Sequence, residues 1–239
     1  MLLDRSGSMA SMHVERVDGR SVTTTRMNAL SSAVREFLLD PQRGLRSTRI
    51  GSTAEVAIGC FSGSKLEWLK LGPDQGNHFT LLRDIDDAPT LKVAERELTP
   101  IAEAIKSGVK TMLSRIQEIE EAPTLSMQFR PMMFFLTDGI PEPENQDIDG
   151  AIKVLHRSAF EDERRPDFFF YGLGINDADD ALMRRMAPTK GAYHPLKDVS
   201  LTEIMRIVTL TANQMAGYAA TQRAVDSHMR SRGARRLGE

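Results

Sequence analysis

Three short segments carry side chains able to act together: Asp4-Arg5-Ser6-Gly7-Ser8, Leu98-Thr99-Pro100-Ile101 and Thr137-Asp138-Gly139. Between them they offer the carboxylates of Asp4 and Asp138 and the hydroxyls of Ser6, Ser8 and Thr99. All five are hard oxygen donors, and none is the imidazole or thiolate that zinc and copper sites favour. Five such oxygens suit an octahedral Mg²⁺ that keeps waters and holds its ligands at about 2.0–2.1 Å, with Mn²⁺ or Ca²⁺ as alternative occupants. Two formal anions match the ion's double charge without surplus. An open coordination position facing solvent would then take an oxygen from outside, and a partner's Asp or Glu carboxylate suits it best.

Other chemistries fit less well. A nucleophilic Ser6 or Ser8 would call for a Gly-x-Ser-x-Gly elbow, which is absent, or a histidine with a readable link to it. An aspartyl nucleophile at Asp4 would call for a second carboxylate two residues on, where Ser6 stands. A metal-dependent hydrolase or phosphoryl-transfer enzyme using the same ion is the alternative function, with His13 and Glu15 as the nearest candidate bases. Gly172-Leu173-Gly174 lacks the third glycine of a nucleotide fingerprint and reads as a tight strand-to-helix turn. His13, His78, His156, His194 and His228 are scattered without metal-ligand spacing. Glu142, Glu144, Asp147 and Asp149 favour the N-terminus of the helix that follows them.

The elements that must position these residues follow from apolar periodicity. Met1–Asp4 ends as a strand, shorter than the usual five or six residues, so the first strand is expected to be stunted or to lack upstream residues. Residues 5–25 read as a polar loop. Met27, Leu30, Val34, Phe37 and Leu38 share a helical face, ended by Pro41 and Gly44. Ala54–Phe61 reads as one apolar strand, with Lys65–Leu69 returning as a hairpin and residues 72–97 irregular. A helix from about Pro100 carries Ile101, Ile105, Val109, Met112, Ile116 and Ile119. Met132–Thr137 and Asp167–Gly172 read as buried strands, and Asp149–Ala159 and Ala178–Met186 as helices. Ala192–His194 reads as an edge strand and Ser200–Tyr218 as an amphipathic helix. Strands alternating with helices predict an α/β fold: an open, doubly wound, mostly parallel sheet flanked by helices, whose strand C-terminal ends converge on a ligand crevice. One domain over residues 1–220 is expected, followed by a basic, solvated tail over 221–239 that is not expected to contact nucleic acid.

Bulk properties narrow the partners. The 239 residues carry a formal net charge of −2, which favours neither nucleic acid nor an anionic membrane. No run reaches the roughly 18 apolar residues of a membrane span, and no secretory leader is visible, so a cytoplasmic protein is expected. The single Cys60 lies in the run Val56-Ala57-Ile58-Gly59-Cys60-Phe61 and reads as packing.

The Asp-x-Ser-x-Ser of residues 4–8, a lone Thr99 about ninety residues on, and a Thr-Asp-Gly closing an apolar strand resemble the metal-ion-dependent adhesion site of von Willebrand factor A (VWA) domains. The resemblance implies that Asp4, Ser6, Ser8, Thr99 and Asp138 ligate the metal directly or through water, and that the domain is a non-enzymatic, Rossmann-like binding module. Arg5, His13, Glu15, Glu97 and Glu142 would form the partner-binding rim. The segments Arg130–Gly139 and Phe170–Ile175 look most like cytoplasmic bacterial VWA proteins associated with tellurium and chemical-stress resistance, which implies a kinase or phosphatase of the same pathway as partner. The chain departs from the family in its longer polar insert over 9–25, in the charged Ala94-Glu95-Arg96-Glu97-Leu98 before the threonine, and in Arg5.

Overall fold

The computed structural model describes residues 1–17, 20–48, 50–72, 78–94, 98–127, 129–142, 146–162, 165–175, 178–189 and 191–196. In chain order its strands are β1 (Leu2–Asp4), β2 (Met12–Val17), β3 (Arg20–Thr25), β4 (Glu55–Val56), β5 (Gly59–Ser62), β6 (Lys65–Trp68), β7 (Thr80–Leu81), β8 (Met132–Thr137), β9 (Phe169–Ile175) and β10 (Tyr193–Leu196). The α-helices among these residues are α1 (Arg26–Leu39), α2 (Ile101–Glu121), α3 (Ile148–Ala159) and α4 (Asp180–Met186). The expected helix over 200–218 and the expected tail over 221–239 lie outside the described residues.

The chain divides into two compact units, one of Met1–Ser8, Gly59–Glu67 and Ala94–Pro195, the other of Met9–Ile58, Trp68–Val93 and Leu196–Glu239. A mixed α/β architecture results. In the first unit a six-stranded sheet runs in the order β10-β9-β8-β1-β5-β6. The pairs β1/β5, β1/β8 and β8/β9 are parallel, which makes the sheet mostly parallel. Its central strands are buried throughout or nearly so, Met133 to Thr137 and Phe169 to Ile175 included, as expected of strands covered on both faces. From β1 the chain reaches β5 on one side and later β8 on the other. The order of connection therefore reverses at β1, where open α/β sheets bind ligands beyond the strand C-termini.

Helix α2 lies against the β1 face that carries Leu2. A Cβ added at Gly108 would stand 2.5 Å from Leu2 Cδ1, so the missing side chain is what lets the helix approach the strand. On the sheet itself, Phe61 and Phe135 stack with ring centroids 5.1 Å apart, at the level of the short β1. Ile101, Ile105, Val109, Met112 and Ile116 are buried as their spacing predicts. Gly172 and Gly174 have a packing role: a Cβ would meet Met183 Cε at 2.9 Å in the first case and the Tyr193 hydroxyl at 2.8 Å in the second. Close approach of α4 and β10 accounts for both glycines, and Asn176 and Asp177 lie outside the described residues. No described helix is long and apolar enough to cross a membrane.

Three expectations are corrected. Residues 5–25 are not a loop throughout, because β2 and β3 form an antiparallel hairpin with Met12 opposite Thr25 and Val17 opposite Arg20. Met12-His13-Val14-Glu15 alternates with the strand period, and Asp18-Gly19 is a strong hairpin-turn dipeptide, so the signal was present. Ala54–Phe61 is two strands and not one. In the second unit Glu55 and Val56 pair with Leu81 and Thr80, whereas in the first unit Gly59 to Phe61 pair with β1. Ala57 and Ile58 between them are buried without belonging to either strand, so hydrophobicity alone could not mark the break. The expected strand Asp167–Gly172 is shifted to Phe169–Ile175.

Replacing Gly108 by Val should destabilise the protein by about 1–3 kcal/mol through overpacking. In urea melts of Gly108→Val, Leu2→Ala and the double variant, the two changes together should cost less than the sum of each alone. Strict additivity would contradict the packing of α2 on β1.

Candidate metal centre at the β1–β8 crevice

The register that pairs Leu2 with Phe135 and Leu3 with Leu136 places Asp4 level with Thr137. Asp4 is wholly buried, and both of its oxygens are used. Oδ1 accepts from the Ser6 backbone N–H at 2.8 Å, closing an Asx turn that folds the chain back immediately after β1. Oδ2 accepts from the Thr137 hydroxyl at 2.6 Å. That hydroxyl in turn accepts from the Gly139 N–H at 3.1 Å, so Thr137 orients Asp4 and shapes the turn after β8 together.

The turn brings the two serines to Asp138. Ser8 Oγ donates to Asp138 Oδ1 at 2.6 Å and lies 3.1 Å from Ser6 Oγ. Ser6, Ser8 and Asp138 thus form one hydrogen-bonded relay, and the Ser6 hydroxyl also bonds to Asp4. Thr99 enters from the start of α2. Its Oγ1 lies 2.9 Å from where a Cβ at Gly139 would stand, and Asp4 Oδ2 lies 3.5 Å from the same point. A side chain at position 139 would intrude between them.

All five residues expected to ligate a metal thus meet at one end of the sheet, and four of them are buried: Asp4, Ser6, Thr99 and Asp138. Adjacent ligands in an octahedral Mg²⁺ shell stand roughly 2.9 Å apart, given bonds of about 2.0–2.1 Å. The 2.6 and 3.1 Å separations along the relay fall at that spacing. Among the described residues no group of three or more His, Cys, Asp or Glu side chains could hold a metal, so any ion here would rest on two carboxylates supplemented by hydroxyls.

Burial pushes the Asp4 carboxyl up to about 6, an effect reinforced by the Asp138 charge and opposed by the hydrogen bonds from Thr137 and Ser6. No described cationic side chain pairs with Asp4. Arg5 points elsewhere: its Nε donates to Ser62 Oγ at 3.0 Å and its guanidinium pairs with Glu67 at 2.7 Å. The expected rim residue is therefore engaged along the β5–β6 side. Burial pushes the Cys60 thiol up to about 12, as befits a packing residue.

Glu142 is exposed, and its backbone N–H donates to the Thr99 carbonyl at 3.1 Å. His13 and Glu15 are β2 residues of the second unit, opposite Thr24 and Val22. Glu97 and Glu144 lie outside the described residues, as do Glu95 and Arg96.

Two contributors had gone without a role in the sequence. Thr137 could have been found, since it precedes Asp138 at a strand end and shares the face of Asp4. Gln146 could not. Its Nε2 donates to the Thr99 carbonyl at 2.8 Å and its Oε1 accepts from the Ala102 N–H at 2.9 Å. Helix α2 has no side-chain cap of its own, so this amide from the β8–α3 loop satisfies an N–H that the helix leaves open. The loops of Thr99 and Asp138 are thereby tied together by a residue 44 positions from one partner and 47 from the other.

No family model matches the chain, and no curated protein matches it. Among solved structures it is similar to an uncharacterized membrane spanning protein from Vibrio fischeri, at 17% identity over 90% of this chain and 97% of that one, with a TM-score of 0.31. A likeness that low carries no argument about fold or function.

Since the folded-state pKa of Asp4 exceeds its ordinary value of 3.8, its contribution to stability is full below about pH 4 and is lost as pH rises through about 6. In chelator, the stability of Asp4→Asn relative to the unaltered protein should rise between pH 4 and 7.5, by up to about 3 kcal/mol. A difference independent of pH would contradict the raised pKa of the buried Asp4 carboxyl. Gln146→Ala should cost about 1–3 kcal/mol and speed amide exchange at Ala102 while leaving β8 protected. Unchanged exchange at Ala102 would show that the clamp does not form.

Proposed function

We propose that this chain is a VWA domain that holds a divalent cation, Mg²⁺ first, with Mn²⁺ or Ca²⁺ as alternatives, and uses it to capture a partner protein through an exposed Asp or Glu. The observation that carries the reading is the convergence of Asp4, Ser6, Ser8, Thr99 and Asp138 on the crevice where the sheet order reverses. Burying the Asp4 carboxylate is costly, and a divalent ion beside it would reduce that cost. The hydroxyls of Ser6 and Ser8 lie against the two carboxylates, which supports their serving with them as oxygen ligands. The reading takes the sheet as the open, doubly wound arrangement of the VWA family.

Asp4, Ser6, Ser8, Thr99 and Asp138 would hold the ion, which would supply a Lewis-acidic position for an incoming carboxylate. This chain's residues do the rest. Thr137 and the Ser6 N–H orient Asp4, and Gln146 fixes the height of Thr99 above the crevice. The function proposed is binding, with a metal-dependent hydrolase or phosphoryl-transfer enzyme at the same residues as the alternative. The setting proposed is a cytoplasmic bacterial stress-response complex containing a kinase or phosphatase.

Mg²⁺ at ten times its dissociation constant should stabilise the protein by about 1.4 kcal/mol, a rise of a few degrees in melting temperature. Asp4→Ala and Asp138→Ala should abolish that rise. Pull-downs should retain a partner in Mg²⁺ and release it in chelator. No shift with Mg²⁺, Mn²⁺ or Ca²⁺ would reject the proposal.

A further inference from the structure

Arg5 stands in the chain between two residues of the candidate centre, Asp4 and Ser6, and both its backbone and its side chain are anchored elsewhere. Its N–H donates to the Phe61 carbonyl at 3.1 Å, which carries the β1–β5 ladder one residue past the end of β1. Its carbonyl accepts from the Ala94 N–H at 2.8 Å. The side chain reaches the same hairpin: Nε donates to Ser62 Oγ at 3.0 Å, and the guanidinium pairs with Glu67 of β6 at 2.7 Å. One planar group thus binds two successive strands.

An ion pair with a partner as exposed as Glu67 contributes little by itself. Ser62 differs, because it is buried and its place at the end of β5 is fixed by the sheet. A guanidinium fork bound at both points holds the arginine in one geometry, which the point charge of a lysine would not do. The next residue of the turn serves the second oxygen-bearing loop. Gly63, whose φ of 64° suits glycine alone, donates its N–H to the Leu98 carbonyl at 2.8 Å. Adjacent residues of the β5–β6 turn therefore hold the chain neighbour of Ser6 and the chain neighbour of Thr99. Position 5 is also where the chain leaves β1 and folds back through the Asx turn of Asp4. A rotation there would carry Ser6 and Ser8 away from Asp138.

We infer that Arg5 is a positioning residue and not part of a partner-binding rim: through Ser62 and Glu67 it fixes the turn that presents Ser6 and Ser8, against the same β5–β6 turn that holds the Thr99 loop. A rim arginine would keep its guanidinium available to a partner, whereas this one is engaged at Nε and at the fork. The consequence for the ion rests on the cation-binding reading above, since the braced hydroxyls are those assigned to it. The brace itself needs no metal and is tested without one.

The test compares the full chain with Arg5→Met, with the Ser62→Ala, Glu67→Gln double variant and with the triple variant. In chelator, amide exchange at Ser6 should quicken on the order of tenfold in Arg5→Met while β8 keeps its protection. The double variant should reproduce that change and the triple should add nothing to it, because all three substitutions cut one link. The Mg²⁺ dissociation constant should rise on the order of tenfold in the same variants. Unchanged exchange at Ser6, exchange that quickens equally along β8, a triple variant well beyond Arg5→Met, or an unaltered Mg²⁺ dissociation constant overturns the positioning role. If Mg²⁺ stabilises none of the proteins, the unaltered one included, the cation reading is overturned and the brace stands or falls on the exchange at Ser6.

Discussion

The organising constraint in this molecule is the burial of two carboxylates at the C-terminal ends of β1 and β8. Asp4, the last residue of β1, and Asp138, just past the end of β8, are both withdrawn from water, and each must be met by something other than solvent. For Asp4 the protein supplies the Ser6 backbone N–H and the hydroxyls of Thr137 and Ser6, and burial still leaves its pKa raised to about 6. A carboxylate compensated only that far is a weak point for stability and a strong point for binding a cation, and the surrounding structure follows from keeping it in place.

Around that centre, rigidity is assembled from small contacts between distant segments. Gly139 leaves room for Thr99, Gly108 lets α2 sit against Leu2, and the Gln146 amide joins the start of α2 to the loop leaving β8.

Much of this was legible in the sequence because it depends on strand ends. The residue types of Asp4, Ser6, Ser8, Thr99 and Asp138, each placed where an apolar run stops or a helix starts, were enough to predict that they meet. Apolar periodicity located α1, α2, β8 and α3 within a residue or two. What remained illegible depends on partners far along the chain. Nothing local distinguishes Val56, which pairs with β7, from Cys60, which pairs with β1, so a continuous apolar run concealed two strands. Gln146 has meaning only through residues more than forty positions away. The β2–β3 hairpin is a different case: its alternation and its Asp18-Gly19 dipeptide are local, and the polarity of the segment outweighed them. The Arg5 side chain, like that of Gln146, finds its partners, Ser62 and Glu67, about sixty positions along the chain.

Crystals of the protein grown or soaked in Mn²⁺ would test the central claim most directly, through anomalous diffraction at the manganese edge. The account predicts a single strong peak within coordination distance of Ser6 Oγ and Ser8 Oγ, bounded by Asp4, Thr99 and Asp138. An empty crevice at saturating Mn²⁺, or a peak bound elsewhere with the Ser8–Asp138 hydrogen bond undisturbed, would contradict it.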